Sequence, residues 1–143
     1  MKDIERSNVP GIRKALGALG AVVAEVDRQL RYVWIDNPHP DFDPEAVVGK
    51  RDDELISKVE AEEIMALKRD TFTRGEPISR MLAFQRTDGA RHYSVFTYPI
   101  RDSSGNVDAI LTVGFDVPAP KRAANNQSPS NNRLLANGNP PPI

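Results

Sequence analysis

Three strand-like runs, PISRMLAFQRT, RHYSVFTYPI and NVDAILTVGFDV, follow one another in the C-terminal half of the chain with only short polar connections between them. Parallel neighbours need a crossover of a dozen or more residues, and these gaps are far too short for one. The runs must therefore pair as an antiparallel meander. The connections carry Asp88-Gly89 and Ser104-Gly105, pairs that accept positive φ in tight turns. Within the runs the side chains alternate with period two. In the first run Ile78, Leu82 and Phe84 share a face with Arg80; in the second Tyr93, Val95 and Thr97 alternate with His92, Ser94, Phe96 and Tyr98; in the third Ile110, Thr112 and Gly114 alternate with Leu111, Val113 and Phe115. Both faces carry apolar groups, so both need cover.

Ahead of the meander, AVVAEVD and RYVWID flank the turn-like Arg28-Gln29 and read as a β-hairpin. NPHPDFDPEAVVGKRDDEL then carries three prolines in seven residues, and Gly49, which permits only short helical turns. A longer helix is predicted from about Ser57, with Glu60 in capping-box position, to a stop at Gly75. Its expected apolar stripe is Val59, Ile64, Leu67 and Phe72. Residues 1–20 predict an N-terminal amphipathic helix, from the spacing of Ile4, Val9, Ile12, Leu16 and Leu19. Pro10 places its start near Val9. The whole reads as an α+β domain over residues 21–117, a five-stranded antiparallel sheet with helices on one face.

At 143 residues the chain has room for one domain of ordinary size. From Pro118 to Ile143 it has no aromatic residue and half of its twelve prolines, which predicts a disordered tail. A net charge of −1 sets up no field for nucleic acid or an anionic membrane, and neither is expected as a partner. No run approaches a membrane span, and the N-terminus lacks the apolar core of a signal peptide, so a cytoplasmic location is expected.

The order and spacing of several short marks resemble the PAS family over about residues 21–117. These are Asp27 closing the first strand, VWIDN with Asn37, AVVGKRDDEL with Gly49, the Asp88-Gly89 hairpin, YPIRDSSGNV, and Phe115-Asp116-Val117. RYVWIDNPHPDF followed by VVGKRDDEL is similar to the N-terminal sensory PAS domains of bacterial sensor histidine kinases. The resemblance implies a sensory module in two-component signal transduction, not an enzyme, with a small molecule held between the inner sheet face and the long helix. A histidine kinase or another signalling protein would be its partner. Many PAS domains exit the sheet into a signalling helix. Here Pro118 and Pro120 disfavour a continuous one, and no kinase segment follows within the chain, so it reads as either a fragment or a stand-alone domain.

The implied ligand-binding set is Trp34, Arg80, Leu82, Phe84, Tyr93, Val95, Thr97, Thr112 and Gly114. Small Thr112 and Gly114 facing Phe84 and Tyr93 would leave a cavity; alternatively Met65, Phe72 and Trp34 fill that space and pairing is the whole function. Arg80 would suit an anionic ligand. The outer face, with Ile12, Leu16, Leu19, Phe96, Tyr98, Leu111, Val113 and Phe115, would bury itself in a homodimer.

The cofactor is left open. Without cysteine, a thiol-adduct flavin is excluded. Haem is disfavoured because residues 57–75 hold no histidine, and His39 and His92 read as solvent-facing. Asp52, Asp53 and Glu54 read as capping and solvated charges. No catalytic or metal-ligating constellation emerges.

Overall fold

A computed structural model describes residues 2–118, with side chains from residue 10 onward. The expected disordered tail lies outside the described residues, apart from Pro118. The first hairpin forms from β1 (Ala21–Val26) and β2 (Tyr32–Asp36). The meander is β3 (Ile78–Arg86), β4 (Gly89–Arg101) and β5 (Val107–Val117), antiparallel throughout. β5 closes against β1, giving the order β2-β1-β5-β4-β3.

Two short helical segments follow β2: α2 (Pro44–Val47), capped by the Asp43 side chain, and a 3-10 turn at Asp52–Glu54. The long helix α3 (Lys58–Arg74) starts where Ser57 Oγ accepts the Glu60 amide and stops at Gly75, whose φ of 67° is the left-handed conformation glycine tolerates. The Glu60 carboxylate does not complete the capping box. It turns to the sheet and accepts the Gln85 amide at 2.7 Å.

The stripe on α3 differs from the expected one in two respects. Val59 is 69% exposed, and the buried face is Ala61, Ile64, Met65, Leu67, Lys68 and Thr71. A lysine thus sits inside the apolar face. The N-terminal helix α1 (Lys2–Ala18) includes Pro10 in its interior instead of starting near Val9. Proline forfeits the amide bond to the carbonyl four residues earlier and its ring crowds that carbonyl, but the turns on either side carry the helix past it.

The core lies between α3 and the inner face of the sheet, built from Ala24, Val26, Leu82, Phe84, Val95 and Ile110 against Ile64, Met65 and Leu67. A register shift between Glu25 and Val26 changes which β2 residues face it. Tyr32 points into the core while Trp34 and Asp36 fall opposite Glu25 and Val23, on the outer face. There α1 meets them. Arg13 forms a bidentate pair with Asp36 at 2.5 and 2.6 Å, and its guanidinium lies 3.8 Å over the Trp34 ring.

Candidate functional site

Between the inner sheet face and the helical segments lies a cavity of about 100 Å³. β1 contributes Val22 and Ala24; β3, β4 and β5 contribute Phe84, Tyr93, Val95, Thr112 and Gly114. The opposite wall is Phe42, Val47, Leu55, Ile56 and Ile64. Gly114 helps to keep the space open: a Cβ there would lie 3.5 Å from Tyr93 Cδ2. Phe84 and Tyr93 meet edge to face, ring centroids 5.8 Å apart.

Besides Tyr93 and Thr112, four polar side chains interrupt this apolar lining. Tyr32 and Asp52 belong to a buried network with Lys68. Lys68 Nζ donates to Asp52 Oδ2 at 2.7 Å and to Tyr32 Oη at 3.1 Å, and Tyr32 Oη donates to Asp52 Oδ1 at 2.7 Å. Burial, reinforced by the Asp52 carboxylate, holds the Tyr32 phenol well above its usual range, so it remains a neutral donor. The network ties β2, the 3-10 turn and α3 into one wall.

His39 is the third. It is buried, contrary to the solvent-facing reading, with Nδ1 accepting the Asp41 amide at 3.0 Å. A neutral ring in that arrangement carries its proton on Nε2, which lies 3.0 Å from Asp88 Oδ1. Arg91 Nη2 reaches Asp88 Oδ2 at 2.5 Å and Nη1 binds Asp116. Arg91 first, then His39, draws the Asp88 carboxyl from 3.8 to about 2.

The fourth is Arg86, at the hairpin end of β3. Its guanidinium carbon lies 4.9 Å from the centroids of both Phe42 and Phe84.

Of the nine residues expected around a ligand, five line the cavity: Phe84, Tyr93, Val95, Thr112 and Gly114. Four do not. Trp34 is on the outer face because of the β1–β2 register shift, its Nε1 bonded to Glu25 at 2.9 Å. Arg80 has the inward parity but lies at the exposed margin, 3.4 Å from Asp70 of α3. Leu82 is buried in the core away from the cavity. Thr97 has its hydroxyl 2.7 Å from that of Thr71 and 3.1 Å from the Ile78 carbonyl, where it secures α3 to the sheet.

Sequence reasoning passed over Tyr32, Lys68 and Arg86, and it read His39 as solvent-facing and Asp52 as a capping, solvated charge, where both are buried. Two signals were present. Lys68 falls seven residues after Ala61 and four after Ile64, on the buried stripe, and a charge there demands a buried partner. Arg86 continues the Leu82, Phe84 alternation by one more step.

On the outer face, α1 covers only the β1–β2 side. Met81, Phe96 and Tyr98 are 52%, 44% and 50% exposed, and Phe115 is also exposed. Leu111, Val113 and Leu16 are half-buried, and Ile12 and Leu19 are exposed. Among the described residues no helix is long and apolar enough to cross a membrane, and no group of three or more His, Cys, Asp or Glu converges on a metal position.

Residues 16–122, three quarters of the chain, match the PAS fold family. The chain belongs to the PAS family. The PAS domain is a sensory module of signal transduction, and the relatives of this one are histidine kinases. It is 30% identical over 97 residues to a probable histidine kinase 1 of Oryza sativa subsp. indica, a match covering 67% of this chain. The chain spans about a tenth of the length of the curated relatives it matches. The PAS domain of a Colwellia psychrerythraea protein superposes with a TM-score of 0.63 at 13% identity, covering 76% of this chain and 96% of that one. VqmA in a Vibrio cholera VqmA–ligand–DNA complex gives 0.61 at 18% identity, covering 67% and 45%. At these identities the superpositions speak for the fold alone.

Proposed function

We propose that this PAS domain is a cytoplasmic sensor that binds a small molecule in the cavity behind β4 and β5 and passes occupancy to a paired copy through the outer sheet face. The observation that carries the reading is the cavity itself. It is lined mainly by apolar side chains with a few convergent polar groups, the usual character of a small-molecule site. A domain whose core had only to be stable would close that space. The ligand-bearing VqmA structure shares the fold, which supports the same use of it here. Its complex also contains DNA, but the near-neutral charge of the present chain gives no comparable support for nucleic acid.

Pairing is supported by the outer face. Phe96, Tyr98, Met81 and Phe115 form an apolar surface beside Ile12 and Leu19 of α1, and a second copy of the domain would cover it. The output partner would be a histidine kinase or another signalling protein, as the kinase relatives suggest. If the cavity stays unused, pairing through this face is the function that remains.

Native mass spectrometry and an absorption spectrum of freshly purified protein test the first part. Retained mass or a chromophore band, released on unfolding, is expected. Bare apo-protein whose amide spectrum no small-molecule panel perturbs would refute it. Light scattering after size exclusion tests the second, and a monomer at high concentration would refute it.

A further inference from the structure

Among the described residues, two buried side-chain polar atoms have no hydrogen-bond partner: Arg86 Nε and Thr112 Oγ1. Both residues line the same cavity. An unpaired buried donor costs free energy that a bound acceptor would recover. Arg86 is also without a carboxylate within 4 Å among the described residues; its guanidinium makes one 3.4 Å contact, to the Gln85 carbonyl. The other ionisable groups of the lining are accounted for. Asp52 is balanced by Lys68, and His39 is bonded to Asp88. The lining therefore carries one unbalanced positive charge, held between the Phe42 and Phe84 rings.

Arg86, Phe42, Leu55 and Ile56 also form part of a second, more open cleft of about 360 Å³. Arg86 thus stands between the cavity and that cleft. The two carboxylates of the cleft are already engaged with backbone: Asp41 accepts the Thr87 amide and hydroxyl, and Glu60 accepts the Gln85 amide.

We infer that the cavity selects a small monocarboxylate, its anion taken by Arg86 and its short apolar tail lying against Tyr93, Val95 and Gly114. This rests on the proposal that the cavity binds a ligand at all. A volume of about 100 Å³ is below that of a cavity that holds benzene, about 150 Å³, so the tail is short, on the scale of butyrate. Planar Arg suits a carboxylate through paired N–H donors, which an amide or alcohol cannot match. Thr112 Oγ1 would accept or donate to a further polar atom on a substituted acid.

The test is an amide NMR titration of the full chain with butyrate, butyramide and 1-butanol at matched ionic strength, following Tyr93, Val95 and Gly114. Butyrate is expected to bind about tenfold or more tightly than butyramide, the worth of a hydrogen bond to a charged group. Arg86→Gln should erase that preference and Arg86→Lys should retain part of it. Equal affinity for butyrate and butyramide in the wild-type protein, which needs no variant to fold, would overturn the inference and leave the cavity reading standing. So would a preference that survives Arg86→Gln. Cavity resonances unmoved by butyrate would overturn the inference, while the native mass spectrum and the wider panel above decide the cavity reading separately.

Discussion

Lys68→Met removes one partner of a pair that is almost wholly withdrawn from water: Lys68 is fully buried and Asp52 nearly so, with Nζ and Oδ2 2.7 Å apart. At an effective dielectric of about 20, unit charges at that separation attract by about 6 kcal/mol. Desolvating each ion costs several kcal/mol, so the intact network contributes little net stability. Breaking it is a different matter. The Asp52 carboxylate would stay in the wall with only the Tyr32 hydroxyl for company, a loss of about 3–5 kcal/mol. A domain of this size has about 5–15 kcal/mol in all, so the variant should be marginal, with its melting temperature lowered by more than about 10 °C. The triple variant Lys68→Met, Asp52→Leu, Tyr32→Phe removes every polar group of the network and should return to within about 1.5 kcal/mol of wild type. Urea unfolding followed by far-ultraviolet circular dichroism measures both. A single variant losing less than about 1 kcal/mol would refute the reasoning, as would a triple variant no more stable than the single one.

Phe96→Glu should shift light-scattering mass toward the monomer while leaving the melting temperature of a dilute sample nearly unchanged, since the side chain is exposed; an unchanged dimer would count against the outer face. Gly114→Val should shrink the cavity, and with a built Cβ already 3.5 Å from Tyr93, it should abolish probe binding in the titration above. Gly75→Ala places a Cβ 2.6 Å from Arg101 Nη2 at a positive φ, and should cost about 1–2 kcal/mol by thermal unfolding. Asp88, its carboxyl held at about 2, adds stability that is complete above its unfolded value of 3.8 and is lost as pH falls through about 2. A carboxyl NMR titration with its midpoint near 4 would contradict this.

The meander, the hairpin and the ends of α3 were legible because each depends on local rules: alternation, turn residues, a serine cap and a glycine stop. Alternation within each strand was legible too, and once the resemblance set which face turns inward it picked out five of the cavity residues. Long-range geometry was not. Trp34 has the right parity only if β1 and β2 pair without the shift at Glu25–Val26, and such an irregularity leaves no mark in the residues themselves. Arg80 and Arg86 show the same limit. Both share the face of Phe84, and an anion-binding arginine was expected at Arg80; position along the strand puts Arg80 at the margin beside Asp70 and Arg86 at the cavity. The carboxylates of the Asp52–Glu54 turn look alike in sequence. Only the arrival of α3 decides that Asp52 is buried against Lys68 while its neighbours stay wet.

β5 is the element through which the proposed ligand and the proposed partner would communicate. Thr112 and Gly114 face the cavity, and Leu111, Val113 and Phe115 project from the same five residues to the outer face. Period-two alternation on one backbone means that a displacement of β5 at Thr112 must move Val113 with it. The strand is hydrogen-bonded on both sides, to β1 and β4, so it cannot shift alone and would carry Phe96 along. A ligand can bias pairing only by the difference in its affinity for the single and paired forms. If cavity and interface are coupled, saturating butyrate must tighten or loosen the dimer by the square of the factor by which dimerisation alters butyrate affinity at each of its two sites. Measuring the dimer dissociation constant with and without butyrate, and butyrate affinity at two protein concentrations, checks that reciprocity. A dimer dissociation constant left unchanged by saturating butyrate would mean that β5 does not link the two faces.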